Sequence, residues 1–88
     1  MAALRKFNWD KPNVEHIARH NVTPVEVEQV FANGEKFLAS YLRKGETRTS
    51  VVGTTDAGRT LMVAFTTRRG RIRTITAFDA PKRFRRLV

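Results

Sequence analysis

The sequence predicts an α+β domain: an antiparallel sheet of four to five strands, with two helices before it and a short helix after it. Three observations predict this. Residues 10–33 carry apolar side chains at helical spacing behind two start signals, residues 34–78 switch to short runs divided by glycine-bearing turns, and the last ten return to helical spacing. The implied order is β-α-α-β-β-β-β-α.

The first strand is expected within Leu4 to Trp9, where Phe7 and Trp9 stand two apart and share a face. At "DKP" the period changes. Asp10 is placed as an N-cap, Pro12 falls in the first turn, and Val14, Ile17 and Ala18 form a stripe, so a helix runs to about His20. In "VTPVEVEQVF", Thr23 and Glu26 have capping-box spacing, Pro24 takes the first helical position, and Val22 and Val27 suit a hydrophobic staple. The second helix therefore starts at Pro24, buries Val27, Val30 and Phe31, and stops at Asn33-Gly34.

Four strands follow, near Lys36–Leu42, Thr47–Gly53, Arg59–Thr67 and Arg71–Phe78. Their separators "RKGE", "TDAG" and "RRG" each hold a glycine able to take positive φ, and such short links join antiparallel neighbours. Leu61, Val63 and Phe65 share one face of the third. In the fourth, Ile72 and Ile75 fall on opposite faces, which a bulge or burial on both sides explains. In the tail "DAPKRFRRLV", Asp79 is a candidate cap, Pro81 lies in the first turn, and Phe84 and Leu87 are expected to face the core.

A chain of 88 residues is expected to make one domain, residues 1–88, with a thin core. The absence of cysteine excludes disulfides and thiolate zinc sites. No signal-peptide pattern or membrane span is visible, so a cytoplasmic protein is expected. The formal net charge is +9 and uneven: residues 1–44 carry seven Lys/Arg against five Asp/Glu, and residues 45–88 carry ten against three. A basic excess concentrated in a sheet suits a polyanion, either nucleic acid or an acidic protein segment.

No P-loop, GxGxxG or GxSxG motif is present. His16 and His20 share a helix face at HxxxH spacing, but "IAR" between them lacks the zincin glutamate and no third ligand is evident, so no metal and no other cofactor are expected. RNA cleavage can proceed without metal because the 2′-OH is an internal nucleophile; it needs a base, a proton donor and cations around the phosphate. Glu46, between Lys44 and Arg48 in sequence, is the best placed base, since nearby cations keep it ionised. Arg48, Arg59, Arg71 and Arg73 are candidates to stabilise the phosphate, and His20 can act as acid or base if its helix ends beside the sheet.

"FNWD", "HIARHNVTPVEVEQVF", "GETRTSVVGTTDAGRTLMVAFTTRRG" and "RIRTITA", in that order from Phe7 to Arg86, resemble the BrnT family of bacterial toxins. The resemblance implies a RelE-like fold and a small metal-independent ribonuclease that inhibits translation by cutting RNA. Its implied partners are RNA and a ribbon-helix-helix antitoxin of the BrnA type, forming a hetero-oligomer with it. The family's polar pattern is matched at His20, Glu46, Arg48, Arg59 and Arg85.

The expected catalytic set is therefore Glu46, Arg48, Arg59 and His20, and the expected RNA-binding set is Arg68, Arg69, Arg71, Arg73, Arg83 and Arg85. Where the family strand ends in something like "SAR" and its last helix reads like "ER..Y", this chain has Phe78, Phe84 and Val88. Phe78 replaces an arginine suited to phosphate binding, with Arg73 or Arg83 as the nearby substitutes. The competing reading is a catalytically weakened relative that binds nucleic acid or an antitoxin through the same arginines.

Overall fold

The computed structural model describes residues 6–88. Helix α1 (Lys11–Ala18) starts where Asp10 Oδ1 accepts the Asn13 N–H at 3.0 Å. Helix α2 (Pro24–Ala32) starts with a complete capping box. There the Glu26 N–H donates to Thr23 Oγ1 at 3.3 Å, and the Thr23 N–H donates to Glu26 Oε1 at 3.0 Å. Satisfying these end groups is worth about 1 kcal/mol, and the helix ends at Asn33, before Gly34 at φ 89°.

Strands β1 (Lys36–Arg43), β2 (Glu46–Thr54), β3 (Thr60–Arg68) and β4 (Arg71–Asp79) form one antiparallel sheet in the order β1-β2-β3-β4. The β1–β2 and β3–β4 turns are Lys44-Gly45 (φ 51° and 76°) and Arg69-Gly70 (φ 52° and 76°). Positive φ at both central residues is the type I′ arrangement, whose twist matches that of the strands it joins.

The parity break in β4 is a bulge. Ala64 pairs with Thr76 and Phe65 with Thr74, which leaves Ile75 as the extra residue and returns Ile72, Thr74 and Ala77 to one buried face. The strand expected at 4–9 is reduced to one parallel bridge, Phe7 to Ile72. Ile72 N–H donates to Lys6 O and Asn8 N–H to Ile72 O, each at 2.8 Å; Leu4 and Arg5 lie outside the described residues.

The two α-helices share one face of the sheet, α1 against β4 and α2 against β2 and β3. Ile17, Val27, Val30, Val51, Leu61 and Val63 fill the space between, each burial contributing about 1.5–3 kcal/mol. Phe31 meets Phe65 edge-on at 5.1 Å and Phe7 at 5.5 Å, closing the core toward the N-terminal segment. Gly53 lets α2 approach, because a Cβ there would stand 2.7 Å from Val30 Cγ1.

The expected short helix ends the chain, but its type and packing differ from expectation. Residues Lys82–Leu87 form a 3-10 helix, η1, with no buried residue and no side-chain cap. Asp79 ends β4 instead of capping, and Leu87 is 47% exposed, so Leu87 is not a core residue. η1 packs against β2, an interior strand whose other face carries α2, so it lies on the side away from the helices. Val52, next to the helix-facing Val51 and so on that side, is fully buried.

Candidate functional site

Antiparallel partners project to the same face. Val51 opposite Val63 and Thr49 opposite Phe65 mark the helix side. Tyr41 opposite Arg48, Arg43 opposite Glu46 and Thr66 opposite Arg73 belong to the other side, at the end bearing the two type I′ turns. Glu46 is the acidic centre of this group. Arg68 donates to its Oε2 from Nη2 at 2.7 Å and from Nε at 3.2 Å, while Arg48 Nε stands 3.6 Å from Oε1.

Arg68's hydrogen bond, aided by the charges of Arg68, Arg48 and Arg73, holds the Glu46 carboxyl below the usual carboxylate range against a smaller opposing effect of desolvation. The carboxylate is thus ionised at neutral pH. Arg48 Nε is buried without a hydrogen-bond acceptor, so its guanidinium is held beside Glu46 by charge and packing. A cavity of about 370 Å³ adjoins the cluster, lined by Gly45, Glu46, Thr47, Thr49, Thr66 and Thr67.

Arg73 also donates from Nη1 to Asp10 Oδ2 at 2.7 Å, tying the α1 cap to the edge of the site. The Asp10 carboxyl is lowered first by the Asn13 backbone N–H and then by Arg73. Arg69 sits at the tip of the same hairpin and Arg71 opposes Arg68 across it. Of the expected RNA-binding set, Arg68, Arg69, Arg71 and Arg73 therefore gather at the Glu46 end. Arg83 and Arg85 do not: they lie on η1, with Arg83 over the Phe84 ring at 4.8 Å and Arg85 Nε donating to Ala80 O at 3.0 Å.

Arg59 occupies the opposite end of β2, about 25–30 Å away along a nine-residue strand. All three of its guanidinium nitrogens donate. Nε donates to Asp79 Oδ1 at 2.7 Å, Nη1 to Asn21 O at 2.6 Å and Glu26 Oε2 at 3.1 Å, and Nη2 to His20 O at 3.1 Å. It fastens the α1–α2 corner to the end of β4. The Asp79 carboxyl is lowered chiefly by this hydrogen bond. For Glu26, desolvation is the largest influence and acts upward, but the Thr23 N–H and Arg59 together bring it below its usual value.

His20 meets Arg59 only through its carbonyl; its ring lies 5.9 Å from Phe78 and 6.3 Å from His16. The four expected catalytic residues thus separate into two pairs, Glu46 with Arg48 and His20 with Arg59. Sequence reasoning had Arg68 only as a phosphate contact and did not use Tyr41. The signal for Tyr41 is the two-residue turn at Lys44-Gly45, which fixes the register that sets it opposite Arg48; Arg68 reaches Glu46 through the β2–β3 register, Thr54 opposite Thr60 to Thr49 opposite Phe65, set by the loop at 55–59.

Among the described residues, no three His, Cys, Asp or Glu side chains are placed to hold a metal ion, and no helix is long and apolar enough to cross a membrane. Residues 9–83 match the family model described as ribonuclease toxin, BrnT, of type II toxin–antitoxin system. No curated protein matches the chain.

Proposed function

The chain belongs to the BrnT family of ribonuclease toxins of type II toxin–antitoxin systems, and from that premise we propose that it cuts RNA at the Glu46 end of the sheet without a metal ion, thereby inhibiting translation. The observation that carries this reading is the Glu46 carboxylate between Arg48 and Arg68, with the charge of Arg73 reaching it.

In this reading the scissile phosphate sits on Arg48, Arg68 and Arg73, whose fixed charges stabilise the negative charge gathering on its oxygens. Glu46 takes the proton of the 2′-OH as the 2′-oxygen bonds to phosphorus. The bond to the 5′-oxygen breaks, and that oxygen takes a proton from solvent, leaving a 2′,3′-cyclic phosphate and a 5′-OH. A phosphate drawing Arg68 toward itself weakens the hydrogen bond that depresses the Glu46 pKa, so the base strengthens as substrate docks. Arg69 and Arg71 hold flanking phosphates.

The family implies an antitoxin partner; we take it to be a ribbon-helix-helix protein of the BrnA type, forming a hetero-oligomer in the cytoplasm. The test is cleavage of mixed RNA with EDTA present, with Glu46→Gln alongside. Cleavage that survives EDTA and disappears in the variant supports the reading; cleavage that requires added metal contradicts it.

A second reading is favoured by one observation: His20 and Arg59 are far from Glu46, and Arg59 is bonded through all three nitrogens to Asp79, Glu26 and two carbonyls. A relative that binds RNA or antitoxin with weakened cleavage needs only the arginine cluster. Binding without strand scission at any RNA concentration selects it.

A further inference from the structure

We propose that Tyr41 forms a stacking subsite for an unpaired RNA base beside Glu46 and Arg48, a proposal that rests on the reading of that end of the sheet as the RNA site. Tyr41 is 48% exposed on the edge strand β1. Its register partner is Arg48, which in turn pairs by charge with Glu46, so a base leaving the scissile phosphate meets the ring within one residue spacing. An aromatic face beside arginines is the arrangement that binds single-stranded nucleic acid, since cations hold the backbone and the ring stacks the base.

The surface beside Tyr41 has room for a strand of RNA. Ala39, Ser50, Ala64 and Thr76 form one register row across all four strands on the face away from α1 and α2. On one side of this row of small side chains lies the row of Tyr41 and Arg48; on the other lies Val52, on the strand that η1 packs against. Those flanking rows are four residues apart on β2, about 13 Å, and the four strands span about 14 Å. The floor is shallow and its walls are basic on the Arg48 side, with Tyr41 closing one end.

The other large apolar residues exposed on β1 belong elsewhere. Phe37 pairs with Val51 and Leu42 with Thr47, which places both on the helix side of the sheet. Tyr41 is therefore not part of a continuous apolar patch suited to a protein partner, and its neighbours along its own face are Ala39 and Arg43, small and cationic.

The experiment measures binding of the full chain to two fluorescent probes. One is a short single-stranded RNA carrying 2′-O-methyl groups, which lacks the free 2′-OH needed for cutting; the other has the same length and charge but abasic sugars. Tyr41→Ala should weaken binding of the first by about 5- to 150-fold and leave the second unchanged, while Tyr41→Phe keeps both. Since Tyr41 is exposed, the variants should match the wild type in thermal unfolding, and Tyr41→Leu controls for strand propensity.

Equal binding of both probes by the wild type, or no effect of Tyr41→Ala, overturns the subsite while leaving the phosphate cluster standing. Unaltered RNA binding together with a changed antitoxin affinity or oligomeric state also overturns it, in favour of a protein contact. A wild type that binds neither probe overturns the RNA reading of this end of the sheet together with the subsite.

Discussion

Arg68, at the end of β3, donates to the Glu46 carboxylate at the start of β2 across 2.7 Å, so two neighbouring hairpins present an acid and its cation at one edge of the molecule. Arg59, which unlike Arg68 matches the family's polar pattern, is bonded to Asp79, Glu26 and two carbonyls at the far end. The two arginines carry the same charge, and their surroundings give them different tasks.

Arg59→Ala should act on folding. It strands two carboxylates and two carbonyls at the α1–α2 corner, and hydrogen bonds to charged groups contribute about 1.5–3 kcal/mol each before allowance for exposure. With the Arg59 side chain 26% exposed and Asp79 61% exposed, a total loss of about 2 kcal/mol is expected by urea unfolding. Cleavage per folded molecule should be unchanged. A variant that keeps its urea midpoint but stops cutting RNA would move the chemistry to this end.

Stability should fall at acid pH, and the sign follows from depressed carboxyl pKa values. Asp10, Asp79 and Glu26 all titrate below their unfolded values of 3.8 and 4.5 in the folded chain. Their contribution is fully present above those values and is lost as pH falls through the lower folded ones. The urea midpoint should therefore hold down to about pH 5 and decline below it. Arg59→Ala should flatten that decline, since Asp79 and Glu26 lose their partner; an equally steep decline would place the acid sensitivity elsewhere.

Binding of single-stranded RNA should weaken with salt, with a slope of about −0.7 per phosphate neutralised. Arg71→Ala, on an exposed side chain, should reduce the slope by about that amount. Arg73→Ala should flatten it as well and also cost stability, because Arg73 anchors Asp10. An unchanged slope in both variants would put the phosphate contacts on another surface.

Helix starts were legible because each is set by a few adjacent residues: Asp10 with Asn13, and Thr23 with Glu26, carry their own hydrogen bonds. Strand positions were legible from Gly45, Gly58 and Gly70. The bulge at Ile75 was visible only as a parity break, because choosing between a bulge and two-sided burial requires knowing what covers each face. The short final helix was legible from its spacing, but not the side it buries: in the tighter 3-10 turns of η1, Leu87 is left in solvent.

The candidate site divided for a related reason. Glu46 and Arg48 are neighbours in sequence and stay together, but whether His20 or Arg59 joins them depends on which end of a nine-residue strand each one reaches. Motif matching contains no such distance. The link from Arg68 to Glu46 spans 22 residues and follows from the β2–β3 register set by the loop at 55–59.

The most direct measurement is the single-turnover rate of RNA cleavage for Glu46→Gln and His20→Ala, each compared with the wild type at equal folded fraction. A site at the Glu46 end predicts that Glu46→Gln lowers the rate by about 100-fold or more, as expected for loss of a general base, while His20→Ala cuts as the wild type does. Normal cleavage by Glu46→Gln with loss of cleavage in His20→Ala would contradict it and assign the chemistry to the end of the sheet where His20, Phe78 and Arg59 meet.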